Sequence, residues 1–292
     1  MRAAAVFFLP ALLLAQSADK AFEELQIERV TGNSTFYDGI LWAKAGYLLV
    51  ADVPGKRLLQ FDPGQKSRVV EENNGGIQGL AQDAKERLYF AESGARRVTR
   101  QDKPGGKVEV LAAEYQGKKF NGPNDVTVRK DGQVYFTDPA FGSRQDQMEL
   151  PFHGVYHVTP KGEVDVVAQW KTRPNGIALS PDGKVLYVAD SDRHAVVAFD
   201  LDRNGAASNE RVLVKGISGV PGGIRIDVQG RLYVAAQHLE IYSPAGKPVH
   251  TILLAEPAVN CAFGQNDMQS LFITTRKALY RVQLRVKGSV QY

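Results

Sequence analysis

At 292 residues, with 43% apolar and 23% charged side chains, the chain has the composition of an ordinary water-soluble fold and the length for one large domain or two small ones. The 36 Lys and Arg against 32 Asp and Glu leave a formal charge of +4. No basic run exceeds two residues, so the excess is a diffuse surface property and nucleic acid is not an expected partner. A single cysteine, Cys261, excludes a disulfide framework and leaves the core to hold the fold.

The first stretch reads as a signal peptide. Arg2 supplies a short basic region, Ala3 to Leu14 is apolar, and Ala15-Gln16-Ser17-Ala18 is a small-residue cleavage zone. Residues 1–18 are therefore expected to be removed after Ala15 or Ala18, giving a periplasmic or secreted protein with no membrane segment. Residues 19–292 are then expected to form a single domain. The apolar stretch is short for a membrane span, and no cysteine follows it to anchor a lipid.

Further along, one template recurs: a small residue, an apolar strand, a polar or glycine turn, then an aromatic-rich strand ending in Ala or Thr and often an acid. It starts at Gly39 (GILWAKAGYLLVAD), Gly79, Asp125 (DVTVRKDGQVYFTD), Gly176 (GIALSPDGKVLYVADS), Gly223 and Cys261. Successive starts lie roughly 40 to 50 residues apart. Further short strands follow each pair, among them Arg57 to Asp62, Arg97 to Gln101, Ala195 to Leu201 and Leu239 to Ser243. Four strands per unit over six units predict an all-β, six-bladed β-propeller with four-stranded antiparallel blades around a central channel. Leu25 to Val30 is expected to pair with the C-terminal strands of Ala278 to Val286 and close the ring, which removes exposed strand edges.

The residues just before the six inner strands are Asp38, Gln78, Asn124, Asn175, Gly222 and Asn260. Any one of them is an unremarkable turn former. Their shared register is the signal, because it places five polar, oxygen-bearing side chains on one tier of the channel. Asn121, in the rigid NGPND entrance of the third unit, belongs to the same polar cluster.

Here the sequence resembles the gluconolactonase/regucalcin (senescence marker protein) family of six-bladed propellers. The stretches NGPNDVTVRKDGQVYFTDPAFG, HGVYHVTPKGEV, RPNGIALSPDGKVLYVADS, VPGGIRIDVQGRLYVA and NCAFGQNDMQSLFIT carry the resemblance over the whole chain after the N-terminal segment. It implies hydrolysis of small-molecule lactones or related esters with a divalent cation, calcium foremost and zinc or manganese as alternatives. Asp38, in DGILW, takes the place of the family's first glutamate and is the candidate for both metal ligand and base. Asn175 and Asn124 match metal-binding positions, and Asn124 also lines the substrate. The fifth unit departs from the pattern: a PDG motif that supplies a ligand and base reads Pro221-Gly222-Gly223 here. Losing that carboxylate weakens any cation site, since affinity follows ligand charge. Asp125, Asp138 and Asp190 are the carboxylates nearby in sequence.

Asn121, Gln78, Asn260, His153 and Arg173 complete the candidate substrate contacts, Arg173 as a partner for an anionic group. His238 is a candidate to fill the space left at Gly222. Asp200 to Gly205 opens like a calcium loop but has Arg211 where a glutamate is required, so it reads as a hairpin turn. Cys261 lies in an apolar strand and reads as a buried thiol. A non-catalytic propeller binding a sugar-like ligand or a protein across the channel face is the alternative, and the glycine at position 222 favours it.

Overall fold

The computed structural model describes residues 19–31, 36–62 and 67–290, so the signal-peptide segment 1–18 lies outside the described residues. Six four-stranded antiparallel sheets follow one another along the chain. Their inner strands are Tyr37–Ala43, Ile77–Gln82, Val126–Val128, Pro174–Leu179, Ile224–Ile226 and Ala258–Gly264, and define blades one to six. Each inner strand touches the next, and the last touches the first, which closes the ring. The closure is as expected from the sequence: Ile27–Thr31 forms the outer strand of blade six, pairing antiparallel with Leu279–Gln283 in the register Ile27↔Val282.

Aromatic and branched residues build the second strand of each unit, because they suit a surface buried on both faces. Tyr89, Phe90, Tyr135, Phe136 and Tyr233 are all at most 1% exposed. The core is divided into six apolar layers, one between each pair of neighbouring blades. Trp170 of blade three, for example, packs with Ile177 and Phe199 of blade four. Each buried Leu, Val or Phe contributes about 1.5–3 kcal/mol, and only ring closure completes the sixth layer. The turn between the first two strands of blade three is Lys130-Asp131-Gly132, where Gly132 adopts φ +90° and donates to the Arg129 carbonyl.

The acids that end the second strands are locks. Asp52 pairs with Arg57, Glu92 accepts from Arg97 Nε and Thr99 Oγ1, and Asp190 accepts from Thr172 Oγ1 and Arg193 Nε. Asp138 accepts the backbone N–H groups of Asn121 (2.9 Å) and Gly122 (2.7 Å). These contacts fasten the chain entering or leaving a blade and withdraw Asp138 and Asp190 from the candidate site. Three elements were not expected from the sequence: a 3-10 turn at Lys20–Phe22, a small hairpin, Glu114–Tyr115 with Lys118–Lys119, and a 3-10 turn at Gly142–Gln147.

Burial pushes the Asp138 carboxyl up to about 7, against its two backbone donors. A raised folded-state value means stability is full below pH ~4 and falls as pH rises toward ~7. Asp138→Asn is expected to flatten that slope by at most about 1.4 kcal/mol per pH unit. It should also cost about 1–3 kcal/mol at low pH, because one backbone donor then meets an NH₂ group. Urea unfolding from pH 4 to 8 checks both effects, and an unchanged slope would refute the assignment.

Candidate active site

The ring residues are aimed by backbone irregularity. The pairing of first and second strands slips between Tyr37 and Ile40, Ile77 and Gly79, Pro174 and Ile177, and Ala258 and Asn260. The first three slips fall at the ring position, and bulges of this kind re-aim a side chain and end regular pairing. In blade six the skipped residue is Val259, so Asn260 stands one residue past the register expected from the sequence, level with Asp125. In blades three and five the regular strand begins after the ring; the Asn124 and Gly222 N–H groups donate to the Thr137 and Ala235 carbonyls, and the Gly222 carbonyl accepts from Gly176. Side-chain hydroxyls stitch the tier from blade to blade. Thr137 donates to the Asn175 carbonyl (2.6 Å), Ser191 to the Pro221 carbonyl (3.1 Å) and Thr274 to the Asp38 carbonyl (2.9 Å).

The amides of the ring are oriented. Ser191 spends its one O–H on Pro221, so it can only accept from Asn175, whose Nδ2 lies 3.1 Å away. That leaves Asn175 Oδ1 free to act as an acceptor. Asn124 Nδ2 donates to Gln78 Oε1 at 2.7 Å, which likewise leaves its oxygen available. Asp38 is buried, and its carboxyl is pushed up to about 8, first by burial and then by the charge of Asp125. The Asn260 side chain and Arg225 act in the opposite direction. Asn260 Oδ1 itself accepts from the Cys261 backbone.

The fifth position is closed, not merely short of a carboxylate. A Cβ on Gly222 would lie 2.4 Å from the Val259 carbonyl oxygen. That oxygen cannot swing away freely, because it accepts the Gly223 N–H at 2.9 Å. Asp125 does not replace the missing group. Its oxygens accept the backbone N–H groups of Val126 and Ile177, and Arg225 lies 3.9 Å away.

The remaining candidates are distributed around this tier. Arg173 is held by Asp192 through Nε and Nη2 and lies over the Phe141 ring at 4.9 Å. Its charge is therefore already compensated, and the structure does not present it as a free anion receptor. His153 Nδ1 accepts the Ala140 N–H, which fixes the proton on Nε2, and burial lowers its pKa. Asn121 donates to the Asp138 and Phe152 carbonyls and is 1% exposed, so its amide serves the blade-three entrance. His238 Nδ1 accepts the Leu254 N–H, which ties it to the chain beyond the outer strand of blade five. Cys261 is buried and its thiol is pushed up to about 12, an inert group. The Asp202 carboxylate accepts from Asn204 and Ala206 in a hairpin turn, as its sequence suggested. Sequence reasoning missed Arg225. Its signal was a lone cation inside the apolar inner strand GIRID.

Among the described residues, no group of three or more His, Cys, Asp or Glu side chains is placed to hold a metal. A cation on this ring therefore depends on amide oxygens beside one carboxylate. The oriented oxygens of Asn124 and Asn175 and the carboxyl of Asp38 are hard-oxygen donors of the kind calcium takes. The donors fit such a cation in kind, with one carboxylate among them.

The sequence profile described as the SMP-30/gluconolactonase/LRE-like region matches residues 36–277. The chain belongs to this family. A family relative, the gluconolactonase of Zymomonas mobilis subsp. mobilis, is 31% identical over 90% of this chain and 82% of its own length. The regucalcin of Oryctolagus cuniculus is 27% identical over 80% of this chain and 81% of its own. Among solved structures, a gluconolactonase from Xanthomonas campestris superposes with a TM-score of 0.84 at 30% identity, covering 92% of each chain. A regucalcin from Agrobacterium tumefaciens, described as a calcium-binding protein, gives a TM-score of 0.74 at 19% identity over 89% of this chain and 94% of that one. The likeness to that structure bears on the fold alone.

Proposed function

We propose that the ring of Asp38, Gln78, Asn124 and Asn175, with Asn260 beside Asp38, opens lactones by hydrolysis with the help of a weakly held divalent cation. The observation that carries this reading is the strand-entrance tier, on which one buried carboxyl stands with two amide oxygens whose nitrogens are tied back. Membership of the gluconolactonase family supports a lactone as the substrate class.

In hydrolysis, a water oxygen bonds to the lactone carbonyl carbon, the bond from that carbon to the ring oxygen breaks, and the water's proton ends on the departing alkoxide. Asp38 is the proton carrier: as the carboxylate of the ring it takes the proton of the attacking water and returns it to the alkoxide. Asp38, Asn124 and Asn175 would hold the cation, which when bound polarises the carbonyl and stabilises negative charge developing on its oxygen. Gln78 and Asn260 keep the neighbouring amide and carboxylate in place, and His153 offers an Nε2–H donor.

A second reading rests on the closed fifth position. With no room for a second ring carboxylate, the same tier would bind a polyhydroxylated ligand without turning it over. Background-corrected hydrolysis of sugar lactones, aliphatic lactones and small esters, with calcium, zinc, manganese or chelator, separates the two. Cation-dependent turnover of at least one lactone is expected. Folded protein with no turnover on any of them would favour the binding propeller.

A further inference from the structure

Three residues beyond the ring register, the inner strands carry Leu41, Ala81, Thr127, Ala178, Arg225 and Ala262. Arg225 is the only charge on this tier and is 8% exposed. Its Nη1 donates to the Ile224 carbonyl of its own blade at 2.7 Å. Its Nη2 donates at 3.3 Å to the Ile40 carbonyl of blade one, two residues past Asp38. The same guanidinium lies 3.9 Å from Asp125, which directly follows Asn124 on blade three. Asp125 in turn accepts the N–H of Ile177 on blade four at 3.1 Å, two residues past Asn175. The pair thus takes hold of the chain within two residues of each of the three candidate cation-binding side chains.

Stability alone gives no reason for this arrangement. Burying a guanidinium and a carboxylate costs several kcal/mol each, and apolar residues of similar volume often do as well or better. The other five positions of the tier are uncharged. The pair also lacks a direct hydrogen bond, and its members spend their donors and acceptors on backbone groups of their own and of other blades.

We infer that Arg225 and Asp125 are positioning residues, a hub beneath the ring that fixes the spacing of Asp38, Asn124 and Asn175. This rests on the reading above, in which those three side chains act together. A lysine at 225 keeps the charge but cannot reach two carbonyls with a planar fork. Loss of such supporting contacts costs about 10- to 100-fold in metal affinity or activity.

The test compares Arg225→Lys with Arg231→Lys. Arg231 is an equally buried arginine at the far end of blade five, paired with Asp227 and Asp19 away from the ring. Calcium binding by calorimetry, lactone turnover, thermal unfolding and the side-chain amide NMR signals of Asn124 and Asn175 are read for both. R225K is expected to lose about 10- to 100-fold in calcium affinity and in kcat, with KM little changed, and to shift both amide signals. R231K is expected to lower the unfolding temperature while leaving affinity, kcat and the amide signals as in the wild type. Unshifted amide signals in R225K, or equal losses in R231K, would overturn the inference. A wild-type protein without lactone turnover would instead defeat the functional reading, and the amide signals would still decide the positioning role.

Discussion

Asp38→Asn is expected to lower lactone turnover by about 10²–10⁴-fold, the usual contribution of a positioned proton carrier, without destabilising the chelated protein. The two halves of this result come from one cause. Asp38 is a buried carboxyl whose charge is opposed by burial and by Asp125, with partial relief from Asn260 and Arg225. Asparagine keeps the shape and cannot ionise, so above pH about 8, where the chelated protein would charge Asp38, the repulsion with Asp125 is avoided, while at every pH the proton carrier is lost. Active-site groups held against their own stability commonly show this exchange. Initial rates and thermal unfolding in chelator, measured side by side, check it. Loss of stability together with activity would mean that Asp38 holds the fold and that its catalytic assignment is wrong.

Gly222→Asp is expected to fail as a repair. Restoring the family's fifth carboxylate looks on sequence like a simple gain of a ligand. The backbone forbids it: the new Cβ would meet the Val259 carbonyl oxygen at 2.4 Å. Position 222 is also fixed by hydrogen bonds from its own N–H to Ala235 and from Gly176 to its carbonyl. Overpacking of this kind costs about 1–3 kcal/mol. Gly222→Ala should lose a similar amount, since the first carbon does the damage. Neither variant should bind calcium more tightly than the wild type. Urea unfolding and calcium calorimetry on both provide the check, and tighter binding by Gly222→Asp with unchanged stability would show that the position was open.

The fold was readable from the sequence because each blade repeats one chemical pattern. A small entrance residue, a turn such as Lys130-Asp131-Gly132 and an aromatic strand such as Val134–Asp138 recur at a nearly fixed interval. The closing pair followed from the edge problem that any ring of sheets must solve, and Ile27–Thr31 lies where that argument put it. The candidate tier was read from the same repeat, and its sixth member was read one residue late: Val259 takes the ring register, and Asn260 aligns with Asp125. What escaped was whatever depends on contacts between residues distant in the chain, within a blade or across the ring. The bulges that aim Asp38 and Asn175 arise from pairing slips that no local motif announces. Arg173 read as a free cation because its partner, Asp192, stands 19 residues away across a turn. Arg225 and Asp125 lie 100 residues apart in the chain, and only ring closure sets them side by side beneath the site.

The most direct measurement is a pH-stat assay of sugar-lactone opening by protein first stripped with chelator and then titrated with calcium, with spontaneous opening subtracted. Negligible turnover is expected in the stripped protein, with a saturable return of activity as calcium is added, at high concentration because one carboxylate carries the proposed site. Turnover indifferent to chelation, or none at any calcium concentration in folded protein, would contradict it.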